Sequence, residues 1–445
     1  MRQSGLWLAA GAVGAGLAGC DTLTPVDLTD ALVLSPGDNL QEALANAPEG
    51  QRIVLRAGVY HGSCPMKTGM TLEAYPGEPV TVSGLVDLAD WKEAGGVFEQ
   101  DMAAFKGRFS KHPSRQVTSD FHENRMRPEL VTHDGRPMKQ VYGLGALEPG
   151  CYFVSGTPGN PQTLHVRLGA GQSINRVQLA AYPQLLFGSR PGTNRVTVKG
   201  ITFAYASNTG KEGLIETTGE GWVLEDVVSA YANSVGVYAR GANQRFDRVT
   251  AQEAGQMGWL GKINESAFTR CQNLTPNWKG FDARWEAGCK FSNSNDNTFI
   301  DWYGAGDAAR NAADLSGPLF WFDISNKRNT IRGMTLENAG KTALLVEHYA
   351  FENTFENVNI RGVQPYLSAA GTGLQIQSNV KNNTFRNFTI SECASAGVRY
   401  KKTERRGPSG ENTFADFRFA GNDRDWHIEG NPEALPDRFL NVGSI

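Results

Sequence analysis

The chain has 445 residues, 51 of them glycine, and a formal net charge of −3. So even a balance excludes the basic footprint of a nucleic-acid-binding protein. Abundant glycine and the lack of long helical periodicity exclude a helical bundle and point to a turn-rich β architecture, as several domains or one large repeat.

The first twenty residues read as a targeting segment, outside the fold. Arg2 supplies the positive start, Leu6 to Leu17 is apolar or small, and Leu17-Ala18-Gly19-Cys20 closes it. The segment is too short and too rich in glycine for a membrane span. The closing quartet resembles the bacterial lipoprotein signal. That resemblance implies lipidation at Cys20, a signal peptide over 1–20, a tether over 21–30 and a lipid anchor in the bacterial cell envelope. An ordinary signal peptide with a chance cysteine is the alternative. Asp21, after the Cys, hints at inner-membrane retention. The other cysteines, Cys64, Cys151, Cys271, Cys289 and Cys393, lack metal-ligand spacing, and their odd number leaves at least one without an internal partner. Buried thiols are the expectation, with no metal and no cofactor.

Residues 31–86 open the mature chain. Asp38 or Asn39 can cap a short helix whose apolar face is Leu40, Ala43, Leu44 and Ala47. Pro48-Glu49-Gly50 ends it, the strand Arg52-Ile53-Val54-Leu55 follows, and Gly58-Val59-Tyr60 comes next. This order resembles the opening of the pectate-lyase-like right-handed β-helix proteins. The resemblance implies a helix that plugs the open end of a solenoid. Without such a plug the end would expose apolar core and unpaired strand edges.

Residues 87–190 interrupt the pattern. Trp91, Phe98, Phe105, Phe109 and Phe121 are scattered anchors in an irregular stretch. After Leu130 come short strands with tight turns, among them Tyr152-Phe153-Val154 and Thr163-Leu164-His165-Val166, and Asp134-Gly135 is a hairpin signal. These features predict a small β-sandwich-like insertion, which either walls a substrate groove or covers the solenoid side.

Residues 191–445 are periodic, and the period decides the fold. Asn-Thr-apolar recurs at Asn297, Asn329, Asn353, Asn383 and Asn412, at intervals of 32, 24, 30 and 29 residues. Two residues past each apolar position stands Asp301, Gly333, Asn357, Asn387 or Asp416, residues that close tight or left-handed turns. Such repeats with three short strands each predict an all-β right-handed parallel β-helix, its coils stacked about 4.8 Å apart. The repeated Asn residues themselves read as a structural ladder.

One strand of each coil carries the chemistry. Strand alternation sends Cys289 and Phe291, Phe320 and Phe322, Leu344 and Val346, and Leu374 and Ile376 inward. The outward fifth positions are then Arg240, Lys262, Ser292, Asp323, Glu347, Gln377 and Lys401, and the third are Tyr238, Leu260, Lys290, Trp321, Leu345, Gln375 and Arg399. Asp323 and Glu347 each lie six residues before their Asn, so they occupy neighbouring rungs. A separation of about 5 Å suits the two carboxylates of a retaining glycosidase, and close like charges hold one of them protonated. An outward Trp321 is a natural sugar platform. Solvated acids neutralised by Lys290, or by Arg399 and Lys401, are the plain alternative.

Trp321-Phe322-Asp323 followed 24 residues later by Glu347 resembles the parallel β-helix retaining glycosidases of β-xylosidase type. The resemblance implies Asp323 as nucleophile and Glu347 as acid/base. His348 matches only part of the family's second motif and reads as a supporting residue. The loop before Lys290 contains Trp278, Asp282, Trp285 and Glu286 and is composed as a sugar-binding wall would be, or else it packs on the solenoid. The candidate substrate-binding set is therefore Trp321, Lys290, Trp285, Glu286, Trp278, His348, Lys262, Gln377 and Arg399.

Two other readings share this face. A polysaccharide lyase or uronate epimerase would use Lys262 or Lys290 as base, although no dense carboxylate cluster for calcium is visible and the Asp-Pro-His-Asp motif of alginate epimerases is absent. A non-catalytic glycan-binding or adhesion solenoid is the third. The favoured reading is an exported, monomeric glycoside hydrolase acting on an oligo- or polysaccharide.

Overall fold

The computed structural model describes residues 27–109, 127–157, 159–210, 212–279, 288–307, 317–365, 371–402, 407–430 and 437–443. The signal segment, Cys20 and Phe121 lie outside the described residues. Within them, no helix is long and apolar enough to cross a membrane.

The chain winds into a right-handed parallel β-helix. One coil runs through Phe320–Asp323, Thr330–Arg332 and Thr335–Glu337, and the next begins at Thr342–Glu347. The first strand of each coil joins an 11-stranded sheet, and the strands that follow it join a 21-stranded one. Phe320 stands opposite Leu344, and Phe322 opposite Val346. All four side chains are fully buried. Stacking puts like side chains over like. Phe268 lies 4.6 Å from Phe299, and Phe355 lies 5.1 Å from Phe385, each pair of rings nearly parallel.

The Asn repeat is a ladder of amides. Asn329 Nδ2 donates to Asn353 Oδ1 at 2.9 Å, and Asn353 Nδ2 donates to Asn383 Oδ1 at 2.9 Å. Each Oδ1 also accepts from the backbone N–H one coil back, as Asn353 Oδ1 does from Asn329. An amide is both donor and acceptor, so one residue type can satisfy itself indefinitely along the stack. The ladder ends where Asp437 Oδ1 accepts from the Asn412 N–H at 2.9 Å. A carboxylate cannot pass the pattern on. Its charge is met by the buried Lys402 ammonium at 2.8 Å.

The turn residues Asp301, Asn357, Asn387 and Asp416 all take left-handed φ, as does Gly333 at φ 75°. At Gly333 a Cβ would meet Asp301 Oδ1 at 2.3 Å, so any side chain there would have to displace that carboxylate. At the N-terminal end the helix Leu40–Asn46 buries Leu40 and Leu44 in the solenoid core, and Asn39 caps it by accepting from the Glu42 N–H. The thiols of Cys64, Cys151, Cys271, Cys289 and Cys393 are buried and free.

Between Leu85–Asp87 and Leu186–Gly188 the chain leaves the solenoid. It forms a four-stranded and a five-stranded sheet. These sheets share a core of Met102, Tyr152, Val154, Leu164, Val166, Val177 and Leu179. Asp134 and Gly135, both left-handed, make the tight turn that pairs His133 with Arg136. This β-rich unit seats on the turns that precede the 11-stranded sheet. Asn233 Nδ2 donates to the Arg127 carbonyl at 3.0 Å, and Lys279 Nζ donates to the same carbonyl at 3.2 Å.

Candidate active site

The outward face of the 11-stranded sheet brings the acids together. Ser292 stands opposite Asp323, and Glu347 opposite Gln377. With Phe322 paired to Val346, Asp323 and Glu347 follow on consecutive rungs. Oxygens of the two carboxylates and a ring nitrogen of His348 lie within 4.8 Å of one another.

These are not solvated surface acids. Asp323 is 2% exposed and Glu347 4% exposed. Trp321 and Leu345 form a second apolar layer with Val235 and Met257, outside the solenoid core. Here the expectation of an open sugar platform fails. Trp321 faces outward, as strand parity demands, but it is only 6% exposed. Its ring faces the Lys290 ammonium, 3.6 Å from the ring centroid, which is a cation–π contact.

Lys290, placed by its pairing opposite Trp321, holds Asp323 Oδ2 at 2.8 Å. His348 Nδ1 lies 2.7 Å from Asp323 Oδ1 and 3.4 Å from Glu347 Oε1. His348 reaches back a coil because it and Tyr349 are both left-handed, with φ of 52° and 68°. Gln377 Nε2 donates to Glu347 Oε2 at 2.5 Å and is itself held by Gln375.

The two carboxyls are driven apart in acidity. Burial pushes Asp323 up, but the His348 hydrogen bond and the Lys290 ammonium together outweigh it and hold the group below the ordinary value. Burial dominates at Glu347 and raises it, with the neighbouring Asp323 charge adding to the rise. The Gln377 hydrogen bond and the His348 and Lys290 charges oppose that rise without cancelling it. Of the two, Glu347 is therefore the carboxyl that holds a proton more readily, and Asp323 the one that gives it up.

Asp323, Glu347 and His348 are also a donor set able to hold a metal ion. The Lys290 ammonium against Asp323 would repel a cation there, so the residues do not fit a resident metal.

The remaining candidates divide. Lys262 is exposed, on the same column as the acids and opposite Arg240. Arg399 spends its charge on Glu429 at 2.7 Å. Trp278 is half-buried and packs against the cluster of Leu85, Leu130 and Ala180 between the inserted unit and the solenoid. Asp282, Trp285 and Glu286 lie outside the described residues. Sequence reasoning missed Arg190, which shares a groove with Arg240 and Lys262. No local signal ties it to a column that begins 50 residues later.

Among solved structures the fold is similar to that of XylC, seen in its complex with xylose. The TM-score is 0.65 at 12% identity, over 92% of this chain and 86% of that one. It is also similar to the A-module of the Azotobacter vinelandii mannuronan C-5 epimerase AlgE4. There the TM-score is 0.51 at 13% identity, over 91% of this chain and 94% of that one. No family model and no curated protein matches the sequence. These likenesses show the fold: the chain is a right-handed parallel β-helix protein.

Proposed function

We propose that this protein is a glycoside hydrolase that retains anomeric configuration by double displacement. The observation that carries the reading is one carboxylate pair within 4.8 Å whose surroundings push the two acidities in opposite directions. The sugar bound in the XylC structure supports a carbohydrate substrate.

In the first step an Asp323 oxygen bonds to the anomeric carbon as the glycosidic C–O bond breaks. The departing oxygen takes the proton of Glu347. In the second step Glu347 takes a proton from water, whose oxygen bonds to the anomeric carbon and releases Asp323. Lys290 and His348 keep Asp323 ionised before attack, and Gln377 orients Glu347.

The test is product stereochemistry together with chemical rescue. Initial products followed by NMR should retain configuration. Glu347→Ala should regain activity on activated aryl glycosides when azide is added, giving the glycosyl azide of retained configuration. Inverted products, or full activity in both Asp323→Ala and Glu347→Gln, sink the assignment. An unsaturated uronate product, detected by its ultraviolet absorbance, would establish a lyase instead. Lys290 is poorly suited to act as the base of that lyase, since its ammonium is committed to Asp323.

We also propose export and lipid anchoring through Cys20, on the sequence of residues 1–20 alone. Detergent-phase partitioning that is lost in Cys20→Ser tests it.

A further inference from the structure

On the rungs before the acids, the outer edge of the 11-stranded sheet carries a groove of about 630 Å³. Arg190, Arg240 and Lys262 line it, with Ser189, Thr218, Asn264 and Asn293 supplying neutral hydrogen-bonding groups, and no carboxylate among the lining residues. Arg240 and Lys262 stand opposite each other on adjacent rungs. Lys262 and Asp323 belong to the same column with only Ser292 between them, a distance of about 10 Å at one rung per 4.8 Å.

The charges differ in how far they are already used. Arg190 pairs with Glu49. Arg240 pairs with Glu216 at 2.9 Å and lies 5.2 Å from the centre of the Tyr238 ring. Lys262 is exposed and has no hydrogen bond or ion pair among the described residues. Two oriented guanidiniums thus frame an ammonium whose charge is unanswered. Gly241 in the lining must be glycine, since a Cβ there would strike the Gly219 carbonyl at 1.8 Å and the residue sits at φ 110°.

We infer that this groove is a substrate subsite for an anionic sugar, carrying a carboxylate or a sulfate ester, about two units from the bond cleaved. This rests on the hydrolase reading for the placement of that bond. Anion recognition itself does not depend on which reaction Asp323 and Glu347 perform. Neutral sugars would use Asn264, Asn293, Ser189 and Thr218 equally well. Only an anion uses the three cations, and its charge would fall where the column contains no acid.

The experiment measures binding by calorimetry to the full-length Asp323→Asn protein, so that turnover cannot interfere. Oligogalacturonate and oligomannuronate present carboxylates, chondroitin sulfate oligomers present both anions, and the carboxyl-reduced oligomers, desulfated as well in the case of chondroitin, are the neutral controls. Anionic oligomers should bind more tightly than the reduced ones, and the preference should shrink as salt is raised. Lys262→Ala should weaken anionic binding by roughly fivefold, as expected of an exposed charge. Adding Arg240→Gln should bring the loss to about tenfold or more. Glu216 then retains the Gln184 hydrogen bond at 2.7 Å, which protects the fold. Neither change should alter binding of the reduced oligomers. Equal binding of native and reduced oligomers overturns the inference, as does an unchanged affinity in the double variant. Binding of inorganic sulfate as tight as that of the oligomers also overturns it, because the site would then hold a free anion. Failure of the hydrolase reading would show instead in the stereochemical test, with anionic binding intact.

Discussion

Two columns run along this solenoid, and they obey opposite rules. The inner column, Asn297, Asn329, Asn353, Asn383 and Asn412, repeats one residue because each amide satisfies the next. The outer column reads Arg240, Lys262, Ser292, Asp323, Glu347, Gln377 and Lys401, and no two neighbours in it are alike. Stacking rewards identity in the amide column, where every polar atom must be paired out of reach of water. In the outer column the same stacking sets unlike groups one rung apart, which is how two carboxyls shifted in opposite directions come to be neighbours. Regularity marks what holds the fold, and its loss marks where chemistry is placed.

The comparison can be broken from either side. The largest effect should come from Asp323→Ala, which removes the proposed nucleophile and should lower kcat on the order of 10⁴-fold or more. Its removal also strands the buried Lys290 ammonium, so stability should fall and kcat is compared per folded molecule. A kcat per folded molecule near wild type would leave Asp323 only a structural ion-pair partner of Lys290. Glu347→Gln should cost about 10²- to 10⁴-fold on substrates with poor leaving groups and much less on activated aryl glycosides. An equal loss on both classes would remove proton donation from its role.

Asn353→Ala should act in the opposite sense, on stability and not on chemistry. It strands the Asn329 donors and deletes the bonds from Asn353 Nδ2 to Asn383 and to the Asn326 carbonyl. A loss of roughly 2–4 kcal/mol in denaturant unfolding is expected, with kcat per folded molecule unchanged.

The smallest effect concerns pH. The proposed mechanism needs Asp323 ionised and Glu347 protonated, so the profile should be a bell. Its acid limb falls below the usual 3.8 of an aspartate and its alkaline limb above the usual 4.5 of a glutamate. His348→Ala removes a hydrogen bond that lowers Asp323, so the acid limb should move up. His348→Asn, which can still donate, should move it less. For stability the signs are opposite. Asp323, lowered on folding, stabilises above its unfolded value and loses that contribution as pH falls through its folded one. Glu347, raised on folding, favours the folded state at low pH, and that advantage is lost as pH rises through its folded value.

Much of this was legible in the chain. The Asn-Thr-apolar period and the left-handed turn residues specify a solenoid because they are local and repeat. Alternation along each strand then separates Phe320 and Phe322 from Trp321 and Asp323 without any knowledge of the fold. The neighbouring rungs of Asp323 and Glu347 follow from their equal distance to the next Asn.

Only the tertiary structure decided what surrounds those acids. His348 meets Asp323 through two left-handed residues, a backbone choice that no side-chain pattern announces. Trp321 is outward and yet covered, because it packs with Val235 and Met257 from earlier coils into a second apolar layer. Trp278 goes to the contact with the inserted unit, and Arg190 enters a groove with Arg240 and Lys262. Strand parity determines the side of the sheet to which a residue points. Burial, charge pairing and acidity depend on which distant coil or insertion lies against it, and that is set by packing between segments remote in sequence.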